Sequence, residues 1–334
     1  MTTIRDRILK HIYLVPVLIL VCSILISCED EGVTDPKDFD YWDQYTTQDG
    51  LTSNELWSIS EDLYGNIWAG TNLGLHRFDG NSWIQVGKDY GVYGYRIYDI
   101  EMDGDGNLWV GSSWGLDILV QGNWFWIDSL FDDEILVSCL YRDMNGDMWI
   151  GTYGDETNRG GLFASDNEFF YEYPAFQQPG FNNINSITGD PSGNIWIGTD
   201  AGGVKLTGSE GIVYNSDNKL NYDDVTAIHI DGWNDVWLGT LYGEQVGRMH
   251  GNKVEFFSLY HNYPVSGVIN ITEDQDHNIW IGTTFGLVKY NGTLMDAAVK
   301  AELSGTPIPC SLTDKKGRVW FGTTDQGLYV YVPK

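Results

Sequence analysis

The sequence predicts an all-β fold, a seven-bladed β-propeller with four-stranded blades, in which an N-terminal strand completes the last blade. Three observations carry that prediction. A motif of Asp, then Trp six residues on, then Gly and Thr or Ser after one intervening residue, occurs seven times. Its copies start at Asp62, Asp103, Asp143, Asp190, Asp231, Asp274 and Asp314, and their tryptophans are Trp68, Trp109, Trp149, Trp196, Trp237, Trp280 and Trp320. The tryptophans are spaced 41, 40, 47, 41, 43 and 40 residues apart, a period that marks a repeat architecture. The third observation is composition: 40 glycines and 14% aromatic residues suit many short strands joined by tight turns.

Taken in chain order, residues 1–27 are a different kind of segment. Arg5, Arg7 and Lys10 precede an apolar run over residues 12–26, the layout of a secretory signal and short for a membrane span. The run ends in Leu25-Ile26-Ser27-Cys28, similar to a bacterial lipobox, so Cys28 is expected to carry lipid and become the N-terminus. An uncleaved N-terminal anchor is the alternative. Residues 28–40 open with Glu29-Asp30-Glu31 and read as an acidic, polar tether. Such a run resembles the surface-export signal of Bacteroidetes-type lipoproteins, the alternative being a plain solvated linker.

The propeller is expected over residues 41–334. In its second repeat, residues 98–102 alternate apolar and polar side chains, as a strand does. Asp103-Gly-Asp-Gly-Asn107 is turn chemistry, in which the Asp side chain bonds turn amides and glycine takes positive φ. Residues 108–112, 115–119 and 123–127 supply three more strands, and four antiparallel strands make a blade. Because the Asp and Trp recur in every blade, they are expected to meet a structural need, with the rings buried between neighbouring sheets. The seventh repeat stops at its third strand, Leu328-Tyr-Val-Tyr-Val332, while Tyr41-Trp-Asp-Gln-Tyr45 matches the fourth strands of the others. Residues 41–46 are therefore expected to close the ring and cover the last open edge.

The pattern Asp-x-x-Gly-Asn-Ile-Trp-Ile-Gly-Thr followed by Gly-Leu, cleanest over residues 274–287, resembles the two-component regulator propeller repeat. The resemblance covers all seven repeats. It implies periplasmic ligand-binding sensor domains, many of which respond to oligosaccharides. This sequence has one propeller rather than two and no kinase, so the resemblance implies the fold and a ligand-binding habit rather than signalling by this chain alone. The repeat also resembles, more weakly, that of the streptogramin lyases. Fold does not decide function between them.

Charge narrows the partners. The chain has a formal net charge of −28; residues 1–27 hold three basic groups and one acidic, and without them 16 Lys+Arg face 46 Asp+Glu, a net of −30. That excludes nucleic acid and disfavours anionic membrane surfaces. The expected partners are an oligosaccharide or other small ligand, or an envelope protein, with the membrane reached through the N-terminal lipid. The expected location is the outer membrane or cell surface of a bacterium, or the periplasm. Cys139 and Cys310 fall in repeats three and seven, too far apart around a ring to pair, and are expected as buried free thiols.

No cofactor is implied. Asp103, Asp105 and Asn107 are spaced like a calcium loop, but Leu108 and Leu119 stand where glycine and glutamate are needed. The six histidines form no metal spacing, and only His261 falls on a blade-to-blade loop. Function is expected instead where the repeats differ. The step from the motif Thr to the next Gly lengthens in blade three, with Tyr153, Asp155, Glu156 and Arg159, and in blade five through residues 241–247, with Tyr242 and Glu244. Loops sharing that face should also carry Tyr93, Tyr95, Arg96, Trp114, Phe181, Asn182, Asn183, Tyr222, Asp223, Tyr263 and Phe285. Aromatic rings among amides and carboxylates suit sugars, whose ring faces stack while hydroxyls take polar partners. A lyase-like enzyme using Tyr153, Asp155, Glu156, Arg159, Glu244 and His261 is the alternative, and a protein-binding scaffold the third.

Overall fold

Seven four-stranded antiparallel sheets follow one another along the chain, each built from four consecutive strands except the last. In that sheet Tyr41–Tyr45 pairs with Leu328–Val332, followed by Val319–Gly322 and Cys310–Thr313. The closing strand therefore comes from the opposite end of the chain, as the truncated seventh repeat predicts. The computed structural model describes residues 40–334 except 88–91, 93–94, 128–134, 155–159, 167–168, 174–179, 209, 260–266, 294 and 297–299. The expectations for the signal segment, Cys28 and the tether up to residue 39 lie outside the described residues. Residues 42–333 form one compact unit.

The first strands of the blades pack side by side around the ring: Leu56–Glu61, Ile97–Met102, Val137–Arg142, Ile184–Gly189, Val225–Ile230, Val268–Glu273 and Cys310–Thr313. They are the inner strands. The Asp-containing turns, joining first to second strands, lie at one end of the ring. The loops joining second to third strands, and one blade to the next, lie at the other.

The motif residues hold this arrangement together. In each blade the Trp Nε1 donates to the motif Asp, at 3.0, 3.0, 3.1, 3.3, 2.8, 2.8 and 2.8 Å in chain order. The other carboxylate oxygen accepts the backbone N–H two and four residues on, as at Asp231 from Trp233 and Asp235. The buried motif Thr or Ser closes the next turn by donating to a carbonyl two to nine residues ahead, for example Thr283 Oγ1 to Gly286 O at 2.8 Å. These are buried polar groups engaged in the turn itself.

The core divides into seven clusters, each at one blade-to-blade interface and each holding one motif tryptophan. Trp237, for instance, packs on Val268, Ile279, Ile281, Val288 and Tyr290 of the next blade. Trp320 closes the ring by packing on Leu56, Ile67, Ala69 and Phe78 of blade one. Trp42 and Tyr45 of the closing strand reach two interfaces. Trp42 lies against Trp280, Phe321 and Tyr331, and Tyr45 against Phe78, Trp83 and Trp320.

The motif glycine has a role that sequence spacing did not disclose. A Cβ at Gly239 would sit 2.3 Å from Val268 Cγ1, the first residue of the next blade, and at Gly151 it would sit 2.6 Å from Ile184 Cγ2. Only glycine lets neighbouring blades approach this closely. Gly239→Ala is expected to lower stability by about 2 kcal/mol through overpacking, seen as a lower urea midpoint; an unchanged midpoint would show that the interface has slack.

One detail corrects the sequence reading and a second agrees with it. The long blade-five connection ends earlier than Gly247: its third strand is Gln245–His250, because buried Val246 pairs with Gly239 and Gly247 with Leu238. The free thiols of Cys139 and Cys310 are both buried as expected. Burial pushes Cys310 up to about 12 and Cys139 further up, so neither is a ready nucleophile.

Candidate functional site

The first residue of every inner strand is a buried aliphatic: Leu56, Ile97, Val137, Ile184, Val225, Val268 and, in blade seven, Ile308 just before its strand. The residue after it varies: Trp57, Tyr98, Ser138, Asn185, Thr226, Ile269 and Pro309. This variable ring, with the residues following it, lines an axial cavity of about 220 Å³ to which all seven blades contribute. The anchored aliphatic position fixes the blades, and the next position is thereby released to vary. These residues were missed by a reading confined to loops, although the contrast between two adjacent columns of the repeat was available in the sequence.

Blades one and two form an aromatic and charged wall at the mouth. Arg96 pairs with Glu55 at 3.0 Å and lies over the rings of Trp57 at 4.6 Å and Tyr98 at 5.9 Å. Glu55 also accepts Trp57 Nε1 and Asn72 Nδ2, so this carboxylate is fully engaged. Tyr95 and Trp114 pack together, with ring centroids 5.4 Å apart. Trp114 remains 46% exposed, an apolar surface open to a partner.

Blades three to five make the opposite wall. Tyr153 Oη donates to Asn185 Oδ1 at 3.0 Å, and Asp200 accepts from Asn185 and Asn183 at 3.0 and 2.6 Å. Burial, and then the charges around it, push the Tyr153 phenol well above its ordinary range. It is a hydrogen-bond donor at any physiological pH. Burial and the charge of Asp200 also raise Asp224.

The blade-three loop is pinned at both ends. Gly154 N donates to Asn182 O at 3.1 Å and Asn183 Oδ1 at 3.0 Å, and a Cβ on Gly160 would sit 2.0 Å from Gly154 N. Asn182 is only 5% exposed and Phe181 packs on the blade three–four core. Both therefore position the loop rather than present a surface, because the connection needs a buried footing there. Asp155, Glu156 and Arg159, like Tyr93, Tyr263 and His261, lie outside the described residues.

On blade five Tyr242 is 62% exposed and Tyr222 43% exposed, with Glu244 near the latter; Phe285 of blade six is 41% exposed. Asp223 is turned to its own loop and accepts Ser216 N at 2.7 Å. The described histidines sit elsewhere. His76 is buried in blade one, where burial lowers it to about 4, and accepts Thr52 N. His229 and His277 flank Glu273 at the Asp-turn end, and His250 pairs with Asp235. The calcium-like run is hairpin chemistry, since Asp103 accepts from Asp105 N, Asn107 N, Asn107 Nδ2 and Trp109 Nε1.

Comparison with known proteins agrees with the fold. The two component regulator propeller family matches residues 94–114, 129–154, 179–201, 262–285 and 302–325, segments that fall in blades two, three, four, six and seven. Among solved structures, the extracellular domain of a putative hybrid two component system from B. thetaiotaomicron is similar at TM-score 0.70 and 18% identity, over 87% of this chain and 42% of that one. A catalytically inactive virginiamycin B lyase from Staphylococcus aureus, solved with quinupristin, is similar at TM-score 0.67 and 12% identity, over 88% and 100%. PorZ, a surface component of the type-IX secretion system of Porphyromonas gingivalis, is similar at TM-score 0.64 and 16% identity, over 85% and 47%. The chain thus spans less than half of the sensor domain it resembles. No curated protein sequence matches it. At these identities the likeness concerns the fold.

Proposed function

For a chain built of two component regulator propeller repeats, we propose an extracytoplasmic binding role, with a ligand held at the end of the ring where the blades differ. The observation that carries it is the contrast between the two ends. The Asp-turn end repeats one hydrogen-bonded turn in every blade. The other end sets Trp57, Tyr98 and Asn185 in the lining of an axial cavity, with Arg96 over Trp57, Tyr153 bonded to Asn185 and Trp114 on the blade-two loop. Rings with apolar faces beside amides and a charged pair suit a glycan. Lipidation at Cys28 would hold the propeller at a bacterial membrane surface that its acidic sequence would not by itself attract. By likeness to sensor domains, the ligand belongs to a sensing or uptake system.

An oligosaccharide array followed by a thermal-shift titration tests this reading. The expected result is a saturable rise in Tm, lost in Trp114→Ala and reduced at least tenfold in affinity in Tyr153→Phe. A panel without any saturable response, together with a stable complex isolated from envelope membranes, would replace the glycan with a protein partner. The virginiamycin lyase likeness supports a second reading as an enzyme; turnover of a bound ligand, abolished by Glu244→Gln, would favour it.

A further inference from the structure

Toward the periphery of the same face lies a second concavity, separate from the axial cavity. It is an open pocket of about 640 Å³ lined by Asn221, Tyr222, Gly243, Glu244, Gln245 and Ser258. It opens between the blade four–five connection and the second-to-third-strand loop of blade five. Backbone hydrogen bonds fix its wall: Leu259 N donates to Glu244 O at 2.8 Å and Gly267 N to Gly243 O at 3.3 Å. Across it, Asn221 Nδ2 donates to Gln245 Oε1 at 2.7 Å.

Gly243 shows that the pocket is built around its ring. Its φ is +113°, and a Cβ there would lie 2.4 Å from Tyr222 Cε2. The tyrosine packs on bare backbone while 43% of it stays exposed. Gln245 keeps its amide nitrogen after accepting from Asn221. The carboxylate of exposed Glu244 has no side-chain partner among the described residues. Among the described residues no Lys, Arg or His lines the pocket, and the chain as a whole carries −28.

From this inventory we infer that the blade-five pocket binds a polyhydroxylated ligand unit bearing a protonated amine, an amino sugar being the simplest case. Tyr222 takes the apolar ring face and attracts the cation. The amides take the ligand hydroxyls, and Glu244 takes the ammonium. A carboxylated sugar would meet the like charge of Glu244. This inference rests on the ligand-binding reading of the face and adds the charge of the ligand and the place of one subsite.

The test is calorimetric titration of the full chain at pH 6 with four trimers: glucosamine, N-acetylglucosamine, glucose and galacturonate. The glucosamine trimer is expected to bind about fivefold more tightly than its acetylated form, the scale of one exposed ion pair, and the galacturonate trimer not at all. Glu244→Gln should erase the preference for the free amine, whereas Tyr222→Ala should weaken the glucosamine and acetylated trimers alike. Gly243→Ala should behave like Tyr222→Ala, since it displaces the ring. Equal affinity for amine and acetyl forms, or a preference surviving Glu244→Gln, overturns the amine assignment and leaves the binding reading standing. Binding indifferent to both Tyr222→Ala and Gly243→Ala overturns the pocket. Failure of all four trimers also overturns it, while the array response and its loss in Trp114→Ala judge the wider reading separately.

Discussion

Replacing Trp42 and Tyr45 together by alanine should lower stability by more than any other exchange of two partly exposed residues in the chain. Both side chains lie on the strand that closes the ring, and each spans a different interface. Trp42 meets Trp280, Phe321 and Tyr331, whereas Tyr45 stacks on Trp320 at 5.9 Å and touches Phe78 and Trp83 of blade one. Losing one aromatic ring from a packed site costs about 3 kcal/mol. The two losses weaken neighbouring interfaces of one closed ring, and ring opening exposes both at once. For a domain of this size a drop in Tm of about 10 °C follows. Removing residues 41–45 altogether should do more, because it also leaves Leu328–Val332 as an open sheet edge. A double variant that melts with the wild type would show that the ring is held by its other five interfaces alone.

The second large effect is on pH dependence. Asp99 and Glu101 lie on the inner strand of blade two, Asp99 lining the axial cavity. Burial holds the Asp99 carboxyl up at about 7 against the pull of N–H groups from Leu140 and Ile100. Burial and the nearby Asp99 charge raise Glu101 to about 8, with Arg142 opposing. Both folded-state values lie above the ordinary carboxylate range, so between pH 4 and 8 the folded chain holds protons that the unfolded chain has released. Their contribution is therefore present in full below about pH 4 and is lost as pH rises through about 7 and 8.

Three of the motif Asp residues, Asp62, Asp103 and Asp190, have the opposite sign. At Asp62 burial would raise the carboxyl, but hydrogen bonds from Asn66, Trp68 and the backbone together outweigh it and bring it down; Asp103 and Asp190 behave alike. Their stabilisation is lost in acid. Stability should thus peak at mildly acidic pH. Asp99→Asn with Glu101→Gln should flatten the alkaline limb, gaining on the order of 2 kcal/mol relative to wild type between pH 5 and 8. Urea denaturation at several pH values measures this. Parallel curves for variant and wild type would mean that the two carboxyls ionise freely in the channel.

The sequence disclosed the ring more fully than the site, for a physical reason. Asp, Trp, Gly and Thr recur because every blade must satisfy the same turn, bury the same indole and admit the same neighbour, so seven copies report one constraint. Tyr41–Tyr45 was legible because an incomplete blade must find a fourth strand. A binding face has no such repetition. Tyr222, Tyr242 and Glu244 could be singled out because blade five departs from its neighbours, and Trp114 because an aromatic stands in a short loop. Trp57, Tyr98 and Asn185 were hidden inside strands, where alternation alone reads them as packing. Conversely, Phe181 and Asn182 looked like surface loop residues but supply the buried footing for the blade-three loop.

The account turns on which end of the ring binds. Amide hydrogen exchange of the full chain, with and without a saturating ligand from the array, reads this directly. Protection is predicted at Tyr153 and Gly154, at Asp200 and Ala201, and over residues 242–245, with no change in the Asp turns. Protection concentrated in those turns, at Leu63 and Tyr64 or Gly232 and Trp233, would contradict it and place the ligand at the opposite end.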